Sequence, residues 1–177
     1  MRILISETDI RVRLEELGRE LTATYRNRPL TVVGVLTGSL IFLADLMRKL
    51  DVPHQVGFLQ ASSYRAGTTA GDLAVNREYF PEIRDRDVLL IDDIFDTGHT
   101  LHELLNKMQA LGPKSIRSAV LLRKRGRQEM TREPDHAAFM IPDEFVVGYG
   151  LDYNDAYRNL PYIAALEAEE IAAGKST

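Results

Sequence analysis

The chain has 177 residues, 45% of them hydrophobic and 27% charged, which is enough apolar material for one packed domain without disulfides or a structural metal. A net charge of −4 argues against broad nucleic-acid binding, because that affinity comes from Lys and Arg neutralising phosphates. Cysteine is absent, so thiol nucleophiles, thiolate metal sites and disulfide frameworks are excluded.

The opening MRILISETDIR turns polar too soon for a signal peptide, and no apolar run reaches the roughly 18 residues of a membrane span. A cytoplasmic location and no membrane partner are expected. Ser6 followed by Asp9 resembles a capping box, and Ile10, Leu14, Leu17 and Leu21 recur at helical spacing, so an amphipathic helix is predicted that Pro29 ends. Residues 30–36 (LTVVGVL) form a β-branched run suited to a buried strand. Thr37, Gly38 and Ser39 then turn the chain into a second helical stripe of Phe42, Leu43, Leu46, Met47 and Leu50.

After Pro53 a strand is predicted over 55–61, followed by the loop SSYRAGTTAGD, which has hydroxyls and glycines but no apolar period. Residues 73–80 are expected to pair as a hairpin arm. Residues 88–91 (VLLI) are apolar on both faces and belong at a sheet centre. A helix over about 100–111 turns Leu101, Leu104, Leu105, Met108 and Leu111 inward, and Gly112-Pro113 stops it. A strand follows at 116–122. Repeated strand, helix, strand units imply an α/β domain with a central, mostly parallel sheet flanked by helices, and such sheets bind ligands at the carboxyl ends of their strands. Beyond Arg123 the helical units stop, and 137–141, 145–149 and 162–166 are read as short strands or irregular turns. The expected organisation is a single domain over 1–177 with a small hood contributed by the N-terminal segment and about 137–166, and an acidic helical tail.

The most informative stretch is VLLIDDIFDTGHTL at 88–101. A buried strand runs into two carboxylates and then into Asp96-Thr97-Gly98-His99-Thr100 ahead of a helix. Free N–H groups at the helix start favour a phosphate, Gly98 admits close backbone approach, and the Thr97 and Thr100 hydroxyls add donors. Asp92 and Asp93 would repel a phosphate but suit sugar hydroxyls or a hydrated Mg²⁺. Asp96 is the candidate catalytic base. The plainer explanation, acids that only cap a helix, leaves the adjoining Thr-Gly-His-Thr unexplained.

This stretch resembles the phosphoribosyl pyrophosphate signature of type I phosphoribosyltransferases. VLTGS at 35–39, SSY at 62–64, LLRKR at 121–125 and IPDEFVVGYGLDYNDAYR at 141–158 are similar to the hypoxanthine-guanine branch of that family. The resemblance implies the type I phosphoribosyltransferase fold and a purine-salvage enzyme that transfers phosphoribose to hypoxanthine or guanine, giving IMP or GMP. It implies that Asp92 and Asp93 hold the ribose hydroxyls, that Asp96 to Thr100 hold the 5′-phosphate, and that Asp96 faces purine N7. It assigns pyrophosphate to Leu36, Thr37, Gly38 and Arg158, and Mg²⁺ to Asp152, directly or through water, with Asp92 and Asp93 as further contacts. Purine recognition falls to Lys124, Phe145, Val146 and Asp152, and closure over the reaction to a loop bearing Ser63 and Tyr64. The implied partners are phosphoribosyl pyrophosphate, a 6-oxopurine and one or three further copies of the chain in a homodimer or homotetramer.

Two positions depart from the branch's pattern. Thr37 stands where many members carry Lys, and Asp92 replaces a frequent Glu. His99 falls at a variable place and is expected to face solvent. Preference among hypoxanthine, guanine and xanthine is open at this level. The rival readings are a phosphoribosyl pyrophosphate-sensing regulator that binds nucleic acid through Arg123, Lys124, Arg125 and Arg127, and an Asp-based phosphotransfer protein built on Asp92-Asp93.

Overall fold

Period-two alternation along the strands decides how the layers stack. The computed structural model describes residues 1–62, 74–76 and 79–173. Its large sheet contains β2 (Leu30–Leu36), β3 (His54–Ser62), β4 (Ala74–Asn76), β5 (Asp87–Phe95), β6 (Ser115–Lys124) and β7 (His136–Ile141), in the order β4-β3-β2-β5-β6-β7. All neighbours are parallel except β4, which returns antiparallel to β3 as the hairpin expectation required. Leu89 and Ile91 of β5 pack on one face with α1 (Glu7–Tyr25) and α2 (Leu40–Met47). Val88 and Leu90 pack on the other with Leu101, Leu104, Leu105 and Met108 of α3 (His99–Gln109).

The first helix starts where its capping box predicts. Ser6 Oγ accepts from the Asp9 N–H at 3.2 Å, and the Asp9 carboxylate accepts from the Ser6 N–H. Phe42 and Leu43 of the second helical stripe are buried core. Leu40 and Ile41, just before them, are the large exposed hydrophobic residues of α2.

A second sheet of three strands has the order β1-β9-β8, from β1 (Arg2–Ile5), β8 (Val146–Val147) and β9 (Ile163–Ala165). Its strands are antiparallel. The final element is α4 (Ala168–Ala173). Two differences from expectation concern boundaries. The hood was expected to include about 137–166, yet β7 extends the large sheet, because Ala119 to Lys124 of β6 still offers an edge with which it pairs. The central strand was expected to stop at Ile91, but β5 continues to Phe95, since Asp92, Ile94 and Phe95 keep their register with Val120, Leu122 and Arg123 of β6. Parallel pairing overrides the poor strand propensity of aspartate there.

The strand order places a topological switch between β2 and β5. Their following connections leave the sheet on opposite faces, α2 behind one and α3 behind the other, so a crevice opens at their carboxyl ends.

Candidate active site

Three short segments line that crevice. The 36–38 turn follows β2, residues 92–100 follow the centre of β5, and Asp152 and Arg158 come from the loop after β8. Together they surround a cavity of about 380 Å³.

Asp92 is 8% exposed, and its Oδ1 accepts from the Asp93 N–H at 3.0 Å. Asp93 Oδ1 accepts from the Ile94 N–H at 2.7 Å. Burial, reinforced by the neighbouring Asp93 charge, pushes the Asp92 carboxyl well above the usual carboxylate range. Burial also raises Asp93, partly offset by the Ile94 N–H and by the Arg158 charge. Two recessed carboxylates of this kind are satisfied by a ligand that brings hydroxyl donors or positive charge.

The cradle follows. Gly98 is the N-cap of α3 at φ +93°, and no side chain caps this helix start. A Cβ at Gly98 would lie 2.9 Å from the Phe95 ring and 3.2 Å from Met130 Cβ, so conformation and space both demand glycine. The uncapped N–H groups of the first turn and the dipole end then face the cavity that Thr97 and Thr100 line, an arrangement suited to an anion. From outside, the Glu129 and Met130 N–H groups donate to the Thr97 carbonyl at 3.0 and 3.3 Å.

Across the crevice the Leu36–Thr37 peptide is cis. A Cβ on Gly38 would fall 1.7 Å from Asp93 Oδ2, and one on Gly150 would fall 2.3 Å from the Gly38 carbonyl oxygen. The turn is thus wedged between the carboxylate pair and the Gly150 loop. Arg158 ties that loop down, with Nη1 donating to the Gly150 carbonyl at 2.8 Å and Nη2 lying 2.8 Å from Asp152 Oδ1. Gly38→Ala is therefore expected to displace the Asp93 carboxylate and lower kcat/KM by at least about 100-fold, in line with a 1 Å misplacement of a reacting group. Steady-state kinetics on the purified variant check this, and wild-type kcat/KM would contradict the tight packing.

The other predicted residues that the structure describes do not line this cavity themselves. Lys124 ends β6, and its Nζ is 3.8 Å from Asp96 Oδ2 and 3.2 Å from Asp143 Oδ1. Val146 is buried in β8, whereas Phe145 is 44% exposed and meets Tyr153 edge to face at 5.2 Å. His99 points outward as expected, its Nε2 2.7 Å from Glu129 Oε2. Ser63 and Tyr64 fall outside the described residues. The arginines and lysine read as a basic patch are largely paired: Arg123 with Glu133, Lys124 with Asp143, Arg127 with Asp96. Sequence reasoning assigned no role at the site to Asp143 or Tyr153, and it saw Arg127 only as part of that patch. No local pattern marks these three, because their partners are distant in the chain.

Among the described residues no group of three His, Cys, Asp or Glu side chains is arranged to hold a metal. Asp92, Asp93 and Asp152 nevertheless line one cavity. That donor set fits Mg²⁺, which keeps several waters and binds through one or two carboxylates plus substrate phosphates.

A family model described as the phosphoribosyl transferase domain matches residues 8–154. The hypoxanthine-guanine phosphoribosyltransferase of Staphylococcus epidermidis is 42% identical over 168 residues, covering 94% of each chain. The hypoxanthine phosphoribosyltransferase of Salmonella typhimurium is 42% identical over 166 residues, covering 92% of this chain and 93% of its own. Among solved structures, the Staphylococcus aureus hypoxanthine phosphoribosyltransferase superposes with a TM-score of 0.90 at 40% identity, covering 96% of this chain and 92% of that one. With a fold, a cavity and a signature that agree over almost its whole length, the chain belongs to the phosphoribosyltransferase family, in the hypoxanthine-guanine branch.

Proposed function

We propose that this chain is a purine-salvage enzyme that transfers the 5-phosphoribosyl group from phosphoribosyl pyrophosphate to hypoxanthine or guanine, giving IMP or GMP and pyrophosphate. One observation carries the reading: Asp96, Thr97, Gly98 and Thr100 of the cradle, the Asp92-Asp93 pair, the 36–38 turn, Asp152 and Arg158 all border one cavity at the switch point of the sheet. An anion site, a hydroxyl site and a second anion site in that order match a phosphate, a ribose and a pyrophosphate. The curated relatives, named for this activity, support it.

In the reaction the bond from ribose C1 to pyrophosphate breaks and a bond from C1 to purine N9 forms. The cradle holds the 5′-phosphate, and Asp92 and Asp93 accept from the ribose hydroxyls. Arg158 and the backbone of the 36–38 turn balance charge on the leaving pyrophosphate, a contact for which the side chain of Thr37 is immaterial. Asp152 would hold Mg²⁺, with Asp92 and Asp93 as further contacts, and the ion when bound supplies positive charge to the same leaving group. Asp96 takes the proton at purine N7 and offsets positive charge at C1, while Lys124 donates to the 6-oxo oxygen. An ammonium has only donors, so a 6-amino group leaves it unsatisfied, which selects 6-oxopurines. Phe145 stacks on the base and Val146 reads its edge through the backbone.

The protein is read as a single domain in which the β1-β9-β8 sheet serves as the hood over the base. No helix among the described residues is long and apolar enough to cross a membrane, and a cytoplasmic enzyme is proposed. A homodimer or homotetramer is proposed as well: Leu40 and Ile41 are exposed, and Ile41 lines a cavity of about 830 Å³ bordered by α1, α2 and Arg158 to Pro161. Light scattering is expected to give at least twice the 20.0 kDa chain mass, and a monomer at micromolar concentration would refute this.

The deciding experiment is an absorbance assay with phosphoribosyl pyrophosphate, Mg²⁺ and each purine in turn. Nucleotide formation with hypoxanthine or guanine and none with adenine is expected, and the assay ranks xanthine beside them. Failure of every 6-oxopurine to react would end the proposal.

A further inference from the structure

Two charged residues beside the site have no role in the reaction as written. Arg127 donates from Nε to Asp96 Oδ1 at 2.9 Å and lies 3.7 Å from Asp143 Oδ2. Asp143 accepts from Lys124 Nζ at 3.2 Å, and Lys124 Nζ stands 3.8 Å from Asp96 Oδ2. The four side chains close a ring of alternating charge. Within it the two oxygens of Asp96 are used differently, since Oδ1 faces Arg127 and Oδ2 faces Lys124.

The loop that carries Arg127 is fastened to the cradle it serves. Gln128 Nε2 donates to the Lys124 carbonyl at 2.8 Å, and the Glu129 and Met130 N–H groups reach the Thr97 carbonyl. The backbone that carries Arg127 is thereby held beside the cradle, and the 45% exposed guanidinium reaches Asp96 from it. Asp96 itself heightens the proton affinity of Arg127, first through the hydrogen bond and then through its charge.

An isolated carboxylate and ammonium this close would draw together into a direct ion pair, removing both from any ligand. The ring opposes that collapse. Arg127 competes for one Asp96 oxygen and Asp143 competes for the Lys124 ammonium, which leaves an acceptor and a donor side by side and apart. We propose that Arg127 and Asp143 are positioning residues that hold Asp96 Oδ2 and Lys124 Nζ separated and aimed to read the adjacent acceptor and donor on the edge of a 6-oxopurine. The inference rests on the transferase reading and adds to it two residues that do not touch substrate.

The test uses the full chain with Arg127→Gln, Arg127→Lys, Asp143→Asn and the double variant Arg127→Gln/Asp143→Asn. Arg127→Gln is expected to raise KM for hypoxanthine about tenfold, equivalent to losing one charge-assisted hydrogen bond in the free-energy balance, with KM for phosphoribosyl pyrophosphate and Tm unchanged. Arg127→Lys, which keeps the charge, is expected to recover to within about threefold of wild type. The double variant should be no worse than the poorer single one, because members of one network are not additive. Calorimetry supplies a readout independent of turnover: IMP binding should weaken about tenfold in Arg127→Gln while ribose 5-phosphate binding holds. An unchanged KM for the base, equal rises in both KM values together with a lower Tm, or strict additivity would each overturn the positioning role. A wild-type protein inactive with every 6-oxopurine would overturn the transferase reading instead, and calorimetry with the two ligands still judges the ring.

Discussion

Asp96→Asn is expected to lower turnover by roughly 10²- to 10⁴-fold, the range for losing a general base, while leaving binding of ribose 5-phosphate within about threefold. Asparagine preserves the shape of the side chain and retains an oxygen that can accept from Arg127 Nε, which now donates to Asp96 Oδ1 at 2.9 Å. What changes is the other arm. Where Asp96 Oδ2 now stands 3.8 Å from Lys124 Nζ, the variant presents an amide donor to an ammonium that also only donates. It can neither take a proton at N7 nor offset charge at C1. The phosphate contacts proposed above come from the backbone and hydroxyls of Thr97 to Thr100, which the change leaves intact, so the loss is expected in kcat for the forward reaction. Steady-state kinetics at saturating substrates measure it directly, and turnover equal to wild type would remove Asp96 from the chemistry.

Much of this site is legible along the chain because its parts are contiguous. Asp92 to Thr100 is one run, and the apolar stripe behind Thr100 announces the helix proposed to receive the phosphate. The capping box at Ser6 and Asp9 and the inward leucines of α1 and α3 follow from periodicity alone. Structure was needed wherever tertiary pairing outweighs local preference. Aspartates are poor strand residues, yet Asp92 lies in β5 because β6 continues alongside it. β1 is only four residues long, too short to show a period, and it exists because β9 pairs with it. The packing of Gly38 against Asp93 and of Gly150 against Gly38 joins three segments that no local pattern brings into contact. The same holds for the Arg127 and Asp143 ring, where each residue taken singly reads as a solvated surface charge.

Asp92→Asn and Asp93→Asn are expected to make the protein more stable and nearly inactive at once. Both carboxyls are raised by burial, Asp92 further by the charge of Asp93, so the folded state binds protons there more readily than the unfolded chain. Where that holds, unfolding free energy falls as pH rises from the ordinary carboxylate range through the raised folded values, and the penalty is fully present above them. Each asparagine keeps an oxygen to accept from the Asp93 or Ile94 N–H but carries no charge to desolvate. A gain of about 1–3 kcal/mol, the scale of relieving an unsatisfied buried group, is expected at pH above the raised folded values, shrinking as pH falls through them toward the ordinary carboxylate range of about 4. Binding moves the other way, because an amide offers ribose hydroxyls a single acceptor and brings Mg²⁺ no charge. IMP affinity is expected to fall at least about tenfold and turnover about 100-fold or more, the usual consequence of removing a charge-bearing contact from a desolvated site. Thermal unfolding across pH, paired with calorimetry using IMP, reads both effects. Loss of stability together with loss of binding would mean that the carboxylates hold the fold rather than strain it, whereas opposite signs identify a pair kept buried and uncompensated for the sake of its ligand.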